Sequence, residues 1–141
     1  MKKLILSLAV LLALAAGNAS FAANQPRPEV VARAVSEHWL ALVDDAKSEE
    51  SYLDLSPTFR KEVGKRKWRH TITSLRKPLG KLASRKFKNA VYTKELPGAP
   101  DGEHVVVSFD TTFANRRAAT ETVIAILDAD LVWRVTSYTV K

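Results

Sequence analysis

The chain has 141 residues, 22 Lys and Arg against 15 Asp and Glu for a net charge of +7, and no cysteine. That length suits one domain and excludes a multidomain enzyme or a long repeat array, and 46% hydrophobic with 26% charged residues excludes wholesale disorder. Without cysteine there is no disulfide framework, no thiolate zinc site and no cysteine nucleophile.

Lys2 and Lys3 precede a run from Leu4 to Ala16 that is apolar apart from Ser7, and Ser20-Phe21-Ala22 then supplies small residues. This three-part pattern predicts a secretory signal over residues 1–22, cleaved after Ala22. The apolar run falls short of the roughly 20 residues that span a bilayer, so it reads as a signal and not an anchor. No cysteine follows the cut to carry a lipid. The expected mature chain, 23–141, is a single exported domain without a transmembrane segment, periplasmic in a Gram-negative bacterium and secreted otherwise. Removing the signal takes two lysines and no acid.

Pro28 suits a first helical turn, where its missing N–H is an orphan anyway. Val31, Val35, Trp39, Leu42, Val43 and Ala46 recur at steps of three and four and predict an amphipathic helix with Arg33, Glu37 and Asp44 on its wet side. Ser48 opens a short helix through Leu53. Ser56-Pro57 reads as an N-cap and first helical residue, with Gly64 as the stop. Trp68, Ile72, Leu75 and Leu79 predict a further helix, closed by Pro78 and Gly80.

From Ala83 the period changes to two. Phe87, Val91 and Ala83 alternate with Lys86, Lys88, Tyr92 and Lys94, a strand with one wet face. Leu96 to Gly102 is dense in turn formers, and His104 to Phe113 is a second strand rich in Val and Thr. Asn115-Arg116-Arg117 turns, Thr120 to Leu127 is a third strand, Asp128-Ala129-Asp130 turns again, and Leu131 to Val140 is a fourth. Short connections imply antiparallel pairing. The expected fold is α+β, with N-terminal helices packed on a curved four-stranded antiparallel sheet.

Several strings together resemble the bacterial family called domain of unknown function 4019. They are Trp39-Leu40-Ala41-Leu42-Val43-Asp44, Ser56-Pro57 with Phe59-Arg60, Trp68, Pro78-Leu79-Gly80 and Ser84-Arg85-Lys86. Leu96-Pro97-Gly98-Ala99-Pro100-Asp101-Gly102-Glu103, Phe113-Ala114-Asn115, Glu121-Thr122-Val123 and Trp133-Arg134-Val135 with Tyr138 complete the set. The resemblance spans nearly the whole expected mature chain and implies a grouping without an activity. The element order is similar to the nuclear-transport-factor-2-like superfamily, which implies a cone with an internal pocket. The chain departs from the family pattern at two turns. Members usually carry glycine soon after the aspartate ending the first helix, where this chain has Asp45-Ala46-Lys47, and Asp-Gly before the last strand, where it has Asp130-Leu131.

His38, His70 and His104 lie on three different elements, and Asp44, Asp45, Glu49 and Glu50 lack the alternating ligands and glycine of a calcium loop, so no metal site is expected. No nucleophile elbow and no phosphate-cradling glycine loop is present, and no cofactor is expected. The resemblance to the cone fold, whose ketosteroid isomerases place an aspartate base and a tyrosine donor in the cavity, makes Tyr52, Tyr92, His104 and Asp110 the pocket candidates. Strand alternation sets His104 and Asp110 opposite Val105, Val107 and Phe109, away from the helices.

Charge is unevenly spread. Residues 60–94 hold thirteen basic groups and one acid, Glu62, whereas acids outnumber bases in residues 23–59 and 95–141. Trp68 and Phe87 within the basic stretch fit the core periods of their elements. Two functional readings follow. The first is a non-enzymatic binding or interaction module whose basic segment, through Lys65, Arg66, Lys67, Arg69, Lys86 and Lys88, meets an anionic envelope lipid or an acidic protein. Nucleic acid fits the electrostatics but not an exported chain, and no recognition motif supports it. The second reading is a cone-pocket small-ligand binder or acid–base enzyme.

Overall fold

The computed structural model describes residues 25–141; the expected signal, residues 1–22, lies outside them. Four helices come first: α1 (Pro28–Asp44), α2 (Ser48–Leu53), α3 (Pro57–Val63) and α4 (Lys65–Arg76), the last running into a 3-10 turn at Lys77–Leu79. Four strands follow: β1 (Leu82–Thr93), β2 (His104–Phe113), β3 (Arg116–Leu127) and β4 (Trp133–Val140). They form one antiparallel sheet in chain order, curved and unclosed. The fold is α+β, and its element order is loosely that of the cone superfamily. At the β4 edge, Leu55 pairs in parallel with Val135, and the Ser56 N–H donates to the Val135 carbonyl at 2.8 Å. This contact ties the α2–α3 junction to the sheet.

The helix boundaries follow their local chemistry. Proline opens α1 and α3, and Gly64, at φ 70°, both ends α3 and precedes α4. Ser56 occupies the predicted N-cap position of α3, but its hydroxyl accepts from no N–H of the helix and instead donates to Asp128 Oδ1 at 2.7 Å. The hydroxyl is oriented by a tertiary contact and not by the helix it precedes. Gly80, at φ 75°, permits a close approach. A Cβ there would stand 3.0 Å from Asn115 Nδ2 and 3.1 Å from Ala114 Cβ, on the β2–β3 turn.

The helices cover one face of the sheet. On α1 the fully buried positions are Ala32, Ser36, Trp39 and Leu40, and Val43 is also buried. The predicted stripe is therefore rotated by about one residue in its first two turns, where Val31 and Val35 are only half-buried. The small Ala32 and Ser36 let the helix lie close on the sheet, and the Ser36 hydroxyl is satisfied by the Ala32 carbonyl at 2.8 Å.

The first strand departs from strict alternation. Phe87 pairs with Phe109 and Asn89 with Ser108, so Lys88 is an extra residue in a β-bulge. One inserted residue reverses the facing of everything after it. Ala90 and Tyr92 consequently pack on the core, whereas Val91, predicted to be buried, is 54% exposed. Phe87 is on the helix side but still 38% exposed, with the Arg33 guanidinium 4.0 Å over its ring. The β2–β3 turn is also tighter than predicted, since Arg116 and Arg117 already belong to β3.

Between helices and sheet the space is filled by Trp39, Trp68, Leu40, Val105, Val107, Phe109, Val123 and Val135. Trp39 lies edge-on to Tyr138, with ring centroids 5.2 Å apart, and tilted against Trp68 at 5.8 Å. Both indoles are satisfied by one residue. Trp39 Nε1 donates to the Ser51 carbonyl at 3.0 Å, and Trp68 Nε1 to the Ser51 hydroxyl at 3.2 Å. A six-residue helix such as α2 has little intrinsic stability, and this double contact anchors it.

Candidate functional site

A chain of charged groups runs from the end of α1 through the sheet. Asp44, the last residue of α1, accepts from Arg76 Nη2 at 2.8 Å and from Arg85 Nη1 and Nη2 at 2.7 and 3.0 Å. Arg85 turns its other edge to Glu121, with Nε at 2.6 Å and Nη2 at 3.1 Å. Glu121 is 0% exposed. It also accepts from Thr111 Oγ1 at 2.6 Å and Tyr138 Oη at 2.5 Å. Two carboxylates therefore face two guanidiniums, and every oxygen of Glu121 is used.

Ionisation follows from this arrangement. Burial opposes the charge on Asp44, but the hydrogen bonds and positive charges of Arg85 and Arg76 outweigh it and hold the carboxyl below its usual value. Arg85 loses solvation as well, yet its bonds to Asp44 and Glu121 keep it protonated even more firmly than a free guanidinium. Burial, then the charge and hydrogen bond of Glu121, push the Tyr138 phenol above its ordinary range. The network is neutral and has no exposed acid–base pair. It braces α1, α4, β1, β3 and β4.

Its outer end forms the floor of a cleft. A cavity of about 430 Å³ lies between the end of α1, α2, α4 and the start of β1, and Asp44 and Arg76 line it. Val43, Ile72 and Leu82 give it an apolar wall, and Arg69, Lys77 and Lys81 supply cations. The guanidinium of Arg76 rests 4.9 Å above the Phe113 ring, and its Nε and Nη1 are buried without a protein acceptor. The opposite end of the molecule carries a cleft of about 580 Å³ between α3, the 96–101 turn and the outer side of β3 and β4. Its charged lining residues are Glu62, Asp101 and Asp128. The polarisation of the sequence thus becomes one cationic and one acidic cleft.

Lys65, Arg66, Lys67 and Arg69 stand together on the first turns of α4, as predicted for one basic segment. Lys65 pairs with Glu49, whereas Arg66, Lys67 and Arg69 pair with no acid among the described residues. Lys86 and Lys88 are elsewhere. They lie on β1, with Lys86 opposite Asp110 in the register and Lys88 Nζ 3.2 Å from the Asp110 carboxylate. The cations that share the cleft with Arg69 are Arg76, at the end of α4, and Lys77 and Lys81 in the turn after it.

The four pocket candidates are not brought together. Tyr52 Oη donates to the Arg60 carbonyl at 3.0 Å, and Tyr92 Oη to Glu103 at 3.0 Å. His104 is buried against its own turn, with Nδ1 3.2 Å from the Gly102 carbonyl, and Asp110 is exposed beside Lys88. The groups that do converge, Asp44, Arg76, Arg85, Glu121 and Tyr138, were not selected from sequence. One cue was present: Glu121 falls in phase with Val123 and Ala125 on the apolar side of its strand, and a carboxylate in that position requires a buried cation.

Among the described residues there is no group of three or more His, Asp or Glu that could hold a metal ion, and no helix long and apolar enough to cross a membrane. Fold and site together define a small α+β domain with a charge-braced core and a cationic cleft. The chain matches the family described as "Protein of unknown function (DUF4019)" over residues 35–138, and it belongs to that family. The match includes all five members of the buried network, from Asp44 to Tyr138. No curated protein matches the chain.

Proposed function

We propose that the protein is an exported, non-enzymatic binding module whose basic face takes an anionic partner of the cell envelope, with anionic phospholipid headgroups the favoured surface. The observation that carries this reading is the row of exposed cations Arg66, Lys67, Arg69, Lys77 and Lys81, which runs along α4 into the following turn with no acid paired to it among the described residues. Near an anionic membrane each such cation contributes about 1 kcal/mol, so the row supports weak, reversible and salt-sensitive attachment. The dispersal of Tyr52, Tyr92, His104 and Asp110 and the full internal pairing of Glu121 favour binding over acid–base chemistry.

Sedimentation with vesicles tests the reading. Binding to phosphatidylglycerol vesicles and not to phosphatidylcholine is expected, with loss at high ionic strength and on changing Arg66, Lys67, Arg69, Lys77 and Lys81 together to glutamine. Retention by both lipids, or indifference to salt and to the substitutions, removes it. Export is tested separately: the mass of the processed chain should correspond to a start at Ala23.

A further inference from the structure

We infer that the cleft between α1 and α4 is a binding site for a small amphiphilic anion, a carboxylate or phosphate monoester head on a single apolar tail. The inference deepens the basic-face reading and rests on it for the sign of the ligand's charge. Three features of the cleft set the ligand's chemistry. Its volume of about 430 Å³ falls within the roughly 300–1,000 Å³ typical of small-molecule sites. Arg69, Lys77 and Lys81 at its rim present positive charge, while the apolar wall contains Ile72 and Leu82. A purely polar anion would leave that wall in water, and a neutral apolar ligand would desolvate the cations without pairing them.

The one acid in the cleft does not oppose an anion. Asp44 is bound on both oxygens, by Arg76 on one and by Arg85 on both, so its charge is already compensated. Arg76 lines the cleft too, but its Nε and Nη1 are buried out of reach of a bound molecule and its Nη2 is held by Asp44, so pairing with an anionic head falls to Arg69, Lys77 and Lys81. Val43 and Ile72 of the Trp39 and Trp68 core form the inner wall of the cleft, which opens at the edge of the helix–sheet interface.

Titration followed by calorimetry and by backbone amide shifts decides the matter, using hexyl phosphate and octanoate as probes, with inorganic phosphate and 1-hexanol as head-only and tail-only controls. Saturable binding of hexyl phosphate, octanoate or both is expected, about tenfold or more tighter than either control, with shifts centred on Thr73, Lys77 and Lys81. The probe that binds identifies the head as phosphate or carboxylate. Thr73→Trp, at an exposed position lining the cleft, should abolish this binding by filling the space, and the double change Lys77→Gln with Lys81→Gln should weaken it about tenfold. No saturable binding, equal affinity for inorganic phosphate, or indifference to both variants overturns the inference. Thr73→Trp retains Arg66, Lys67 and Arg69 for vesicle binding. Vesicle binding without amphiphile binding therefore defeats the cleft alone, and amphiphile binding without vesicle binding defeats the membrane reading alone.

Discussion

Arg85 on β1 reaches across β2 to Glu121 on β3 and holds it with two hydrogen bonds, at 2.6 and 3.1 Å, beneath a surface that leaves the carboxylate wholly inaccessible. Because Thr111, the β2 residue paired with Arg85, donates to the same carboxylate, three consecutive strands converge on one buried charge.

Removing the cation should be far worse than removing the pair. Arg85→Met leaves Glu121 buried without its counter-charge, and breaking a buried pair in this way costs about 3–5 kcal/mol. Urea denaturation should show that loss, and Arg85→Met combined with Glu121→Leu should recover part of it. A double variant as unstable as the sum of the singles would contradict the electrostatic account.

Asp44 should make stability acid-sensitive. Its carboxyl is held below the ordinary value of about 3.9, so its contribution is complete above that pH and is lost as pH falls through the folded-state value. Below about pH 4 the native protein should therefore lose stability faster than Asp44→Asn, which has no such proton to take up. The comparison of denaturation midpoints between pH 2 and 6 checks the slope. Parallel curves would exclude Asp44 as the source.

The two turns that depart from the family's glycine pattern are the two places among the described residues where a residue other than glycine has positive φ, Ala46 at 56° and Leu131 at 62°. Leu131 is also 78% exposed and so gains little from its side chain. Left-handed backbone costs an L-residue about 1–2 kcal/mol, partly offset by the greater chain entropy that glycine loses on folding. Ala46→Gly and Leu131→Gly should each raise the thermal midpoint by a few degrees, read by calorimetry. A fall in Tm at either site would mean that the turn is held by side-chain contacts.

Ser51→Ala should cost about 1–3 kcal/mol, since it leaves the buried Trp68 indole N–H without its acceptor. The Trp39 bond, made to the Ser51 backbone carbonyl, should survive. Fluorescence of the variant should change through Trp68 and not Trp39, which Trp68→Phe in the same background separates.

Much of the fold was legible in order. The positions of Pro28, Pro57, Gly64 and Gly80 mark helix limits through backbone chemistry that acts locally, and the structure places elements at those limits. The facing of β1 was not legible past Lys88, because a bulge is a property of pairing with β2 and the residues on either side read as ordinary strand. The basic segment was visible as composition. Its division was not: α4 groups Lys65, Arg66, Lys67 and Arg69, while Lys86 and Lys88 point to Asp110 on another face.

By itself, the sequence determined the α+β class, the order of the elements, the helix limits at Pro28, Pro57, Gly64 and Gly80 and the concentration of positive charge in residues 60–94. Each of these depends on periodicity, backbone stereochemistry or counting, which act over a few residues. Only the tertiary structure decided that Asp44, Arg76, Arg85, Glu121 and Tyr138 meet, and that Arg69, Lys77 and Lys81 share a cleft. Those contacts join residues far apart in the chain, and their strength comes from burial in low dielectric, which no linear pattern records.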